Sequence, residues 1–448
     1  MRNEKRILVY AGWLDKPEQI GTVFNEINAR GSNTLSFEFS ESWLASHSEI
    51  LLDPDLFPYR GRQYLMPGKS SFGFLADASP DRWGRLLMKR REIILAKEQD
   101  RNVRSLSEID YLLGVHDVGR IGGLRFKTEP DGAFLSDDKV MAAPPCVKLR
   151  GLQNASLMLE SSEDLYEKKW LLQLLAPGSS LGGARPKATV QDEHGNLWIA
   201  KVPSKQDEVD VGAWEKVVHD LAKECGLDVP ESKLEKFSEE GSTFLVKRFD
   251  RAEHGNKRRH FVSAMTMLGR TDGEDGSSYL DIVQALKTYG SRPEEDLKEL
   301  WARVAFNVLV SNTDDHLRNH GFLLDKNGWR LSPVYDVNPN IFRQNLSLNI
   351  TENSNKKDLL LVLGTAKFYN LSDSEAKNIL EKMETVISHG WHRKADEYRI
   401  PRSEQGIFEN VFKYERKLFA AKEVVRRPVK AKSRRPSPEN EKPKGRIR

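Results

Sequence analysis

Ser311-Asn312-Thr313-Asp314-Asp315-His316-Leu317-Arg318-Asn319 is the stretch that decides the fold, because Asp314 and Asn319 stand five residues apart in a polar loop. Upstream, Leu297, Leu300, Trp301, Val304 and Val308 recur at spacings of three and four, which is the signature of an amphipathic helix. Downstream, an apolar run over 321–324, the turn Asp325-Lys326-Asn327-Gly328 and a second apolar run over 329–334 read as a hairpin. A hairpin folds back on itself, so Asp336 in Tyr335-Asp336-Val337 is expected to return towards Asn319. Phosphoryl transfer from ATP uses this set: an Asp, an Asn five residues later, and a metal-binding Asp beyond a short hairpin. The chemistry accounts for the residue types. Mg²⁺ keeps waters and phosphate oxygens and takes few oxygens from the protein. Asn319 and Asp336 would supply them, and Asp314 would accept the proton of the attacking hydroxyl. Asp315 is adjacent, but the five-residue spacing selects Asp314. His316 would contact phosphate or brace the loop. An Asn-Thr-Asp loop taken alone is an ordinary turn; the meaning lies in the combination.

Towards the N-terminus, Gly178-Ser179-Ser180-Leu181-Gly182-Gly183-Ala184-Arg185-Pro186-Lys187 precedes a β-hairpin over 187–191 and 197–202. Glycines let backbone N–H groups approach phosphate oxygens. The stretch is neither GxxxxGK[ST] nor GxGxxG, so alone it is an ordinary loop. Lys201, on the second strand between Ala200 and Val202, is placed to reach phosphates. Such a lysine needs a carboxylate to orient it, and Glu215 sits inward on the helix expected over 211–225. Gly226 ends that helix at a favoured position. Strands over 234–237 and 242–249 follow. The second runs through Lys247, Arg248 and Phe249 into a polar stretch, where an adenine would meet the backbone between two lobes.

The architecture expected is α+β: a two-lobed, protein-kinase-like fold with a β-rich small lobe, an α-rich large lobe and an N-terminal α/β subdomain. The boundaries read as 1–130 for the N-terminal unit, 131–159 for a linker, 160–250 and 251–424 for the lobes, and 425–448 for a tail. In the N-terminal unit, strands over 6–13 and 34–39 flank a turn-rich middle, and a helix starts near Pro80 with Asp81 at its acid-favouring end. Its carboxylates read as caps and salt bridges, with no chemistry. From about 260 to 424 the chain reads helical apart from the hairpin over 321–337. No repeat of 20–50 residues is evident.

Composition sets the outer limits. The 448 residues exceed what one compact core holds. Charged residues at 30% and a mean hydropathy of −0.59 indicate a soluble chain. No run approaches the ~18 apolar residues of a membrane span, and no apolar signal core follows Met1. Two cysteines, Cys146 and Cys225, make neither a disulfide framework nor a zinc site. Cytoplasmic residence is the expectation. Of the net charge of +4, residues 426–448 carry +8, leaving the body near −4. That tail, with four prolines, is expected to be disordered. It is a solubilising segment or a weak contact for nucleic acid or an acidic partner.

The segments 312–319, 331–336 (Leu331-Ser332-Pro333-Val334-Tyr335-Asp336), 244–251, the loop 180–187 and Gly122-Gly123-Leu124-Arg125-Phe126 together resemble the HipA family, the kinase toxins of bacterial toxin–antitoxin pairs. The resemblance implies a serine/threonine protein kinase using ATP and Mg²⁺, with a protein substrate; known substrates of the family include aminoacyl-tRNA synthetases. It implies a HipB-like helix-turn-helix antitoxin partner that represses its own operon, and hence DNA contact through that partner. By the motif match, Asp314 is catalytic, and Asn319 and Asp336 hold the metal. Lys201 takes the phosphates, and Lys247, Arg248 and Phe249 the adenine. Ser180, Gly182, Gly183, Ala184, Arg185, Lys187, Glu215, His316 and Tyr335 complete the nucleotide site, and Ser180 matches the autophosphorylated serine. The sequence departs from the family at Gly183-Ala184-Arg185-Pro186, at Asp315 and in the tail. Two other readings stay open: a kinase-fold enzyme acting on a small molecule or lipid, and a non-catalytic partner of an antitoxin on DNA.

Overall fold

The computed structural model describes residues 3–27, 33–137, 143–161, 174, 185–252 and 257–412. Ser180, Gly182, Gly183, Ala184 and the basic tail lie outside them.

The N-terminal unit is built on a five-stranded antiparallel sheet in the order β4-β3-β2-β1-β5. The strands are β1 Asn3–Ala11, β2 Glu18–Ile27, β3 Asn33–Phe39, β4 Gln63–Tyr64 and β5 Leu124–Lys127. The expectation of a turn-rich middle between two strands is corrected: β2 runs through it and is the central strand. Gly21 between Ile20 and Thr22 reads as a breaker in sequence. In the sheet it lies opposite Phe39, and a Cβ there would meet Glu38 O at 2.3 Å, so glycine is what close strand approach requires. Ile7, Val9, Val23, Leu35 and Phe37 project to one core with Trp43, Phe72, Phe74 and Leu112. Helices α1 Glu41–Ser46, α2 Gly73–Asp77, α3 Arg82–Glu98 and α4 Glu108–Gly114 complete the unit. Asp81 caps α3, its Oδ1 accepting the Gly84 N–H at 2.8 Å.

The small lobe holds a four-stranded antiparallel sheet, order β6-β7-β9-β8. It consists of β6 Lys187–Gln191, β7 Leu197–Lys201, β8 Ser232–Ser238 and β9 Gly241–Lys247. Helix α5 Leu149–Ser161 packs Leu149 and Leu152 on Ala188, Val190, Trp198, Ala200 and Leu245. Residues read as part of a linker thus belong to this lobe's core. On the other face Ile199, Phe244 and Val246 form a second cluster, and α6 Val211–Glu224 packs against β9. Gly212 makes that approach possible, since a Cβ there would lie 2.1 Å from Ser242 O.

In the large lobe, β10 Arg251–Ala252 pairs with β11 Lys257–Arg258, and β12 Phe261–Ser263, β13 Gly321–Asp325 and β14 Gly328–Leu331 form a second antiparallel sheet. The helices are α7 Ala264–Met267, α8 Tyr279–Tyr289, α9 Pro293–Leu309, α10 Leu359–Thr365, α11 Asp373–Glu397 and α12 Arg402–Phe412. Two corrections apply to the expected helical run with a single hairpin. The strand β12 adds to the hairpin, pairing Phe261 with Leu323, and it is too short to show periodicity. Residues 332–358 hold no helix or strand; Pro333, Pro339 and a succession of Asn residues from Asn338 to Asn355 disfavour helix. Among the described residues no helix is long and apolar enough to cross a membrane.

Candidate active site

The site begins where α9 ends. Leu297, Leu300, Trp301, Val304 and Val308 are buried, anchoring the helix that leads into the loop. Ser311 turns the chain in a left-handed conformation (φ 55°). Its Oγ donates to Asn340 O at 2.8 Å, and Asn312 Oδ1 accepts the Asn338 N–H at 3.2 Å. The two neighbouring acids then part. Asp315, 3% exposed, accepts from Tyr279 Oη at 2.7 Å, Asn307 Nδ2 at 2.8 Å and His320 Nε2 at 2.7 Å. All three donors converge on Oδ2, so the scaffold holds this carboxylate in place. The Asp314 side chain is 64% exposed, and its Oδ1 lies 2.7 Å from Arg343 Nη1. A carboxylate at the surface of the loop can meet an incoming hydroxyl; a carboxylate already holding three donors cannot.

Asn319 ends a short 3₁₀ turn, Leu317–Asn319, and its Nδ2 donates weakly to Asp314 O at 3.4 Å. Its Oδ1 is buried without a hydrogen-bond partner. Tyr335 ties the hairpin exit to the same loop through Oη to Arg318 O at 2.6 Å. Asp336 follows in a left-handed conformation (φ 59°) that turns its side chain from the hairpin path. Lys201 Nζ sits 2.5 Å from Asp336 Oδ1 and 2.5 Å from Glu215 Oε1. Burial alone would raise the Asp336 carboxyl, but the charges of Lys201 and Lys187 override it and hold it at about 2. Burial would likewise discharge Lys201, and the Asp336 and Glu215 carboxylates reverse this, keeping it firmly ammonium. Burial pushes Glu215 upward, with Lys201 opposing. Lys201, Glu215 and Asp336, far apart in the chain, therefore form one charged cluster.

A cleft opens beside this cluster. Ile199, Phe244 and Val246 line it from the small lobe, and Val334 and Tyr335 from the large lobe. Lys247, Arg248 and Phe249 all border it. Their side chains differ in what they offer. Lys247 is partly exposed and 3.4 Å from Glu231. Arg248 is wholly buried, with Nη1 donating to Gly119 O at 2.7 Å and Nη2 to Arg120 O at 2.9 Å, and with Asp250 as its ion-pair partner. Its guanidinium serves the N-terminal unit, so only its backbone and stem face the cleft. Burial would raise Asp250, but Arg248 and Arg251 drive it far below the usual carboxylate range. Gly122 N–H also donates to Asp250 Oδ2 at 2.7 Å, and Ile121 reaches the cleft wall.

At the other end, Arg185 pairs with Asp207 at 2.6 Å, and Lys187 Nζ lies 3.0 Å from Asp81 Oδ2. The charge of His316 also lowers Asp336, and His316 Nδ1 is buried without a hydrogen-bond partner. Sequence reasoning missed Asp81, Ile121 and Arg343. Pro80-Asp81 carries the signal of a helix cap and nothing more, and Ile121 is one apolar residue in a glycine-rich turn.

The residues fit Mg²⁺ held jointly with phosphate. The unpaired Asn319 Oδ1 and the strongly acidic Asp336 are hard oxygen donors of the kind and number that Mg²⁺ takes from a protein when a nucleotide supplies the rest. Among the described residues no group of three or more His, Cys, Asp and Glu side chains could hold a metal by itself.

Residues 179–391 match the family model of the HipA-like C-terminal domain, in agreement with the resemblance read from the motifs. The chain is 30% identical over 181 residues to a Haemophilus influenzae protein named "Putative kinase", covering 36% of this chain and 52% of that one. It is 32% identical over 132 residues to "Putative kinase Y4mE" of Sinorhizobium fredii, covering 28% of this chain and 31% of that one. The match thus spans about half of the first relative and a third of the second. In three dimensions the chain resembles a Shewanella oneidensis MR-1 HipA, solved with HipB and its operator DNA. The TM-score is 0.64 at 17% identity, over 91% of this chain and 95% of that one. At that identity the likeness is one of fold alone, a mixed architecture of helices and several small sheets.

Proposed function

The chain carries a HipA-like C-terminal domain across residues 179–391, and from that premise we propose that it is a cytoplasmic, ATP- and Mg²⁺-dependent serine/threonine protein kinase. The observation that carries this reading is the cluster in which Lys201 bridges Glu215 and Asp336 beside the cleft. In a nucleotide-bound site, Asn319 and Asp336 would hold Mg²⁺, which neutralises charge on the phosphates. Lys201, kept charged and oriented by Glu215, binds phosphate oxygens. The apolar walls from Ile199, Phe244 and Val246 take the base. Asp314 accepts the proton of the substrate hydroxyl, a role worth about 10²–10⁴ in rate.

The substrate is a protein, with aminoacyl-tRNA synthetases the first candidates by resemblance to the family. Ser180 is a candidate for autophosphorylation. A phosphate there would put about two negative charges into the stretch that the resemblance assigns to the ATP phosphates and switch the enzyme off. A HipB-like helix-turn-helix antitoxin is the proposed partner, with operator DNA reached through it; the HipB and DNA complex of the Shewanella protein supports this.

The test is transfer of radiolabelled phosphate from ATP with Mg²⁺ in cell extract, followed by phosphoamino-acid analysis. The native chain should label serine or threonine, and Asp314→Asn should lose about 10²–10⁴ of that activity. Equal labelling by both overturns the assignment.

A further inference from the structure

Lys187 and Lys201 lie directly opposite each other on the antiparallel pair β6 and β7. Opposed residues point to the same face, and like charges there repel. Both side chains are nearly buried, at 4% and 8% exposure. A buried lysine stays charged only beside a carboxylate. Lys201 has two, Glu215 and Asp336. Lys187 has Asp81, which arrives from the N-terminal unit, 106 residues earlier in the chain, and is itself 12% exposed. Lys201 contacts Asp336, and Lys187 stands opposite Lys201 on the paired strand, so this second ammonium faces the same cluster.

We infer that Asp81 is a positioning residue of the nucleotide site: it fixes the side chain of Lys187, which then binds the nucleotide's phosphates beside Lys201. The inference rests on the kinase reading above and deepens it. Asp81 is suited to the task because its carboxylate is itself fixed. Oδ1 accepts the Gly84 N–H as the cap of α3, and this aims Oδ2 at Lys187. At the base end the same unit contributes Ile121 to the cleft wall. The N-terminal unit therefore takes part in nucleotide binding at both ends of the site.

Asp81→Asn separates the two roles of the side chain, because asparagine caps a helix as well as aspartate does but carries no charge. Calorimetric titration of the full-length chain with Mg²⁺ should give ADP binding weaker on the order of ten-fold, with adenosine binding unchanged. In a Lys187→Gln background Asp81→Asn should cause no further loss of ADP affinity. Asp81→Ser, which also caps, should repeat the ADP-specific loss and serves if the asparagine variant does not fold. Equal weakening of ADP and adenosine marks a merely structural role and overturns the inference, as does unchanged ADP binding. A native chain that binds neither ligand overturns the kinase reading itself, and this inference with it.

Discussion

Arg343 Nη1 lies 2.7 Å from Asp314 Oδ1, so the carboxylate proposed as base is engaged by a surface arginine. Both side chains are more than half exposed, at 57% and 64%. Such a pair is worth about 0.2–1 kcal/mol, and a substrate hydroxyl has to displace it. Arg343→Ala should therefore raise kcat/KM for the protein substrate up to roughly five-fold, with ATP affinity unchanged. A fall in kcat/KM would instead mean that Arg343 helps to bind substrate.

Asp315→Asn should damage the fold more than the chemistry. The donors from Tyr279, Asn307 and His320 all converge on Oδ2, and an amide oxygen in its place offers them no negative charge in a buried setting. The expected loss is about 2–3 kcal/mol in urea denaturation, with turnover per folded molecule largely kept. Asp314→Asn should show the reverse, full stability and lost turnover. A stable but inactive Asp315→Asn protein would exchange the roles of the two acids.

Asn319→Ala removes a buried amide oxygen that has no hydrogen-bond partner among the described residues. The Mg²⁺ concentration for half-maximal phosphate transfer should rise on the order of ten-fold or more. Binding of metal-free adenosine should stay as in the native chain. An unchanged Mg²⁺ requirement would take Asn319 out of the metal site.

Buried His260 stacks on Trp13 at 4.2 Å, and neither of its ring nitrogens has a hydrogen-bond partner. Burial lowers its pKa from 6.5 to about 3. The unfolded chain thus binds a proton below about pH 6.5 that the folded chain refuses, and stability falls as pH drops from 6.5 towards 3. Between pH 6.5 and 5 the loss from this group is about 2 kcal/mol. His260→Phe should remove that part of the pH dependence in urea titrations at the two pH values. A variant with the native pH dependence would assign it to other groups.

The charged cluster of the candidate site was more legible than its setting. The five-residue spacing from Asp314 to Asn319, the hairpin to Asp336 and the Lys201–Glu215 pair each rest on local patterns, and the structure brings Lys201, Glu215 and Asp336 together. The hairpin turn at Gly328 and the helix from Val211 were likewise written in periodicity and turn chemistry. Strand β2 was missed because Gly21 mimics a turn, and β12 because three residues carry no period. Helix α5 was taken for linker although its apolar residues close the small-lobe core. Asp81 on Lys187, Arg248 on Gly119 and Arg120, and Arg343 on Asp314 were not legible at all. Each is a long-range ionic or hydrogen-bonded contact, and no local spacing encodes its partner.

The contacts that tie Arg248 and Asp250 to residues 119–122 bear on where this protein can be cut. The stretch matched by the domain family starts at residue 179, but the guanidinium of Arg248 is solvated by carbonyls that lie before it. A fragment made to the family boundaries would keep the Arg248–Asp250 pair and discard the Gly119 and Arg120 carbonyls, along with the Gly122 donor to Asp250. The unit that recurs among sequences is therefore smaller than the unit that can be desolvated.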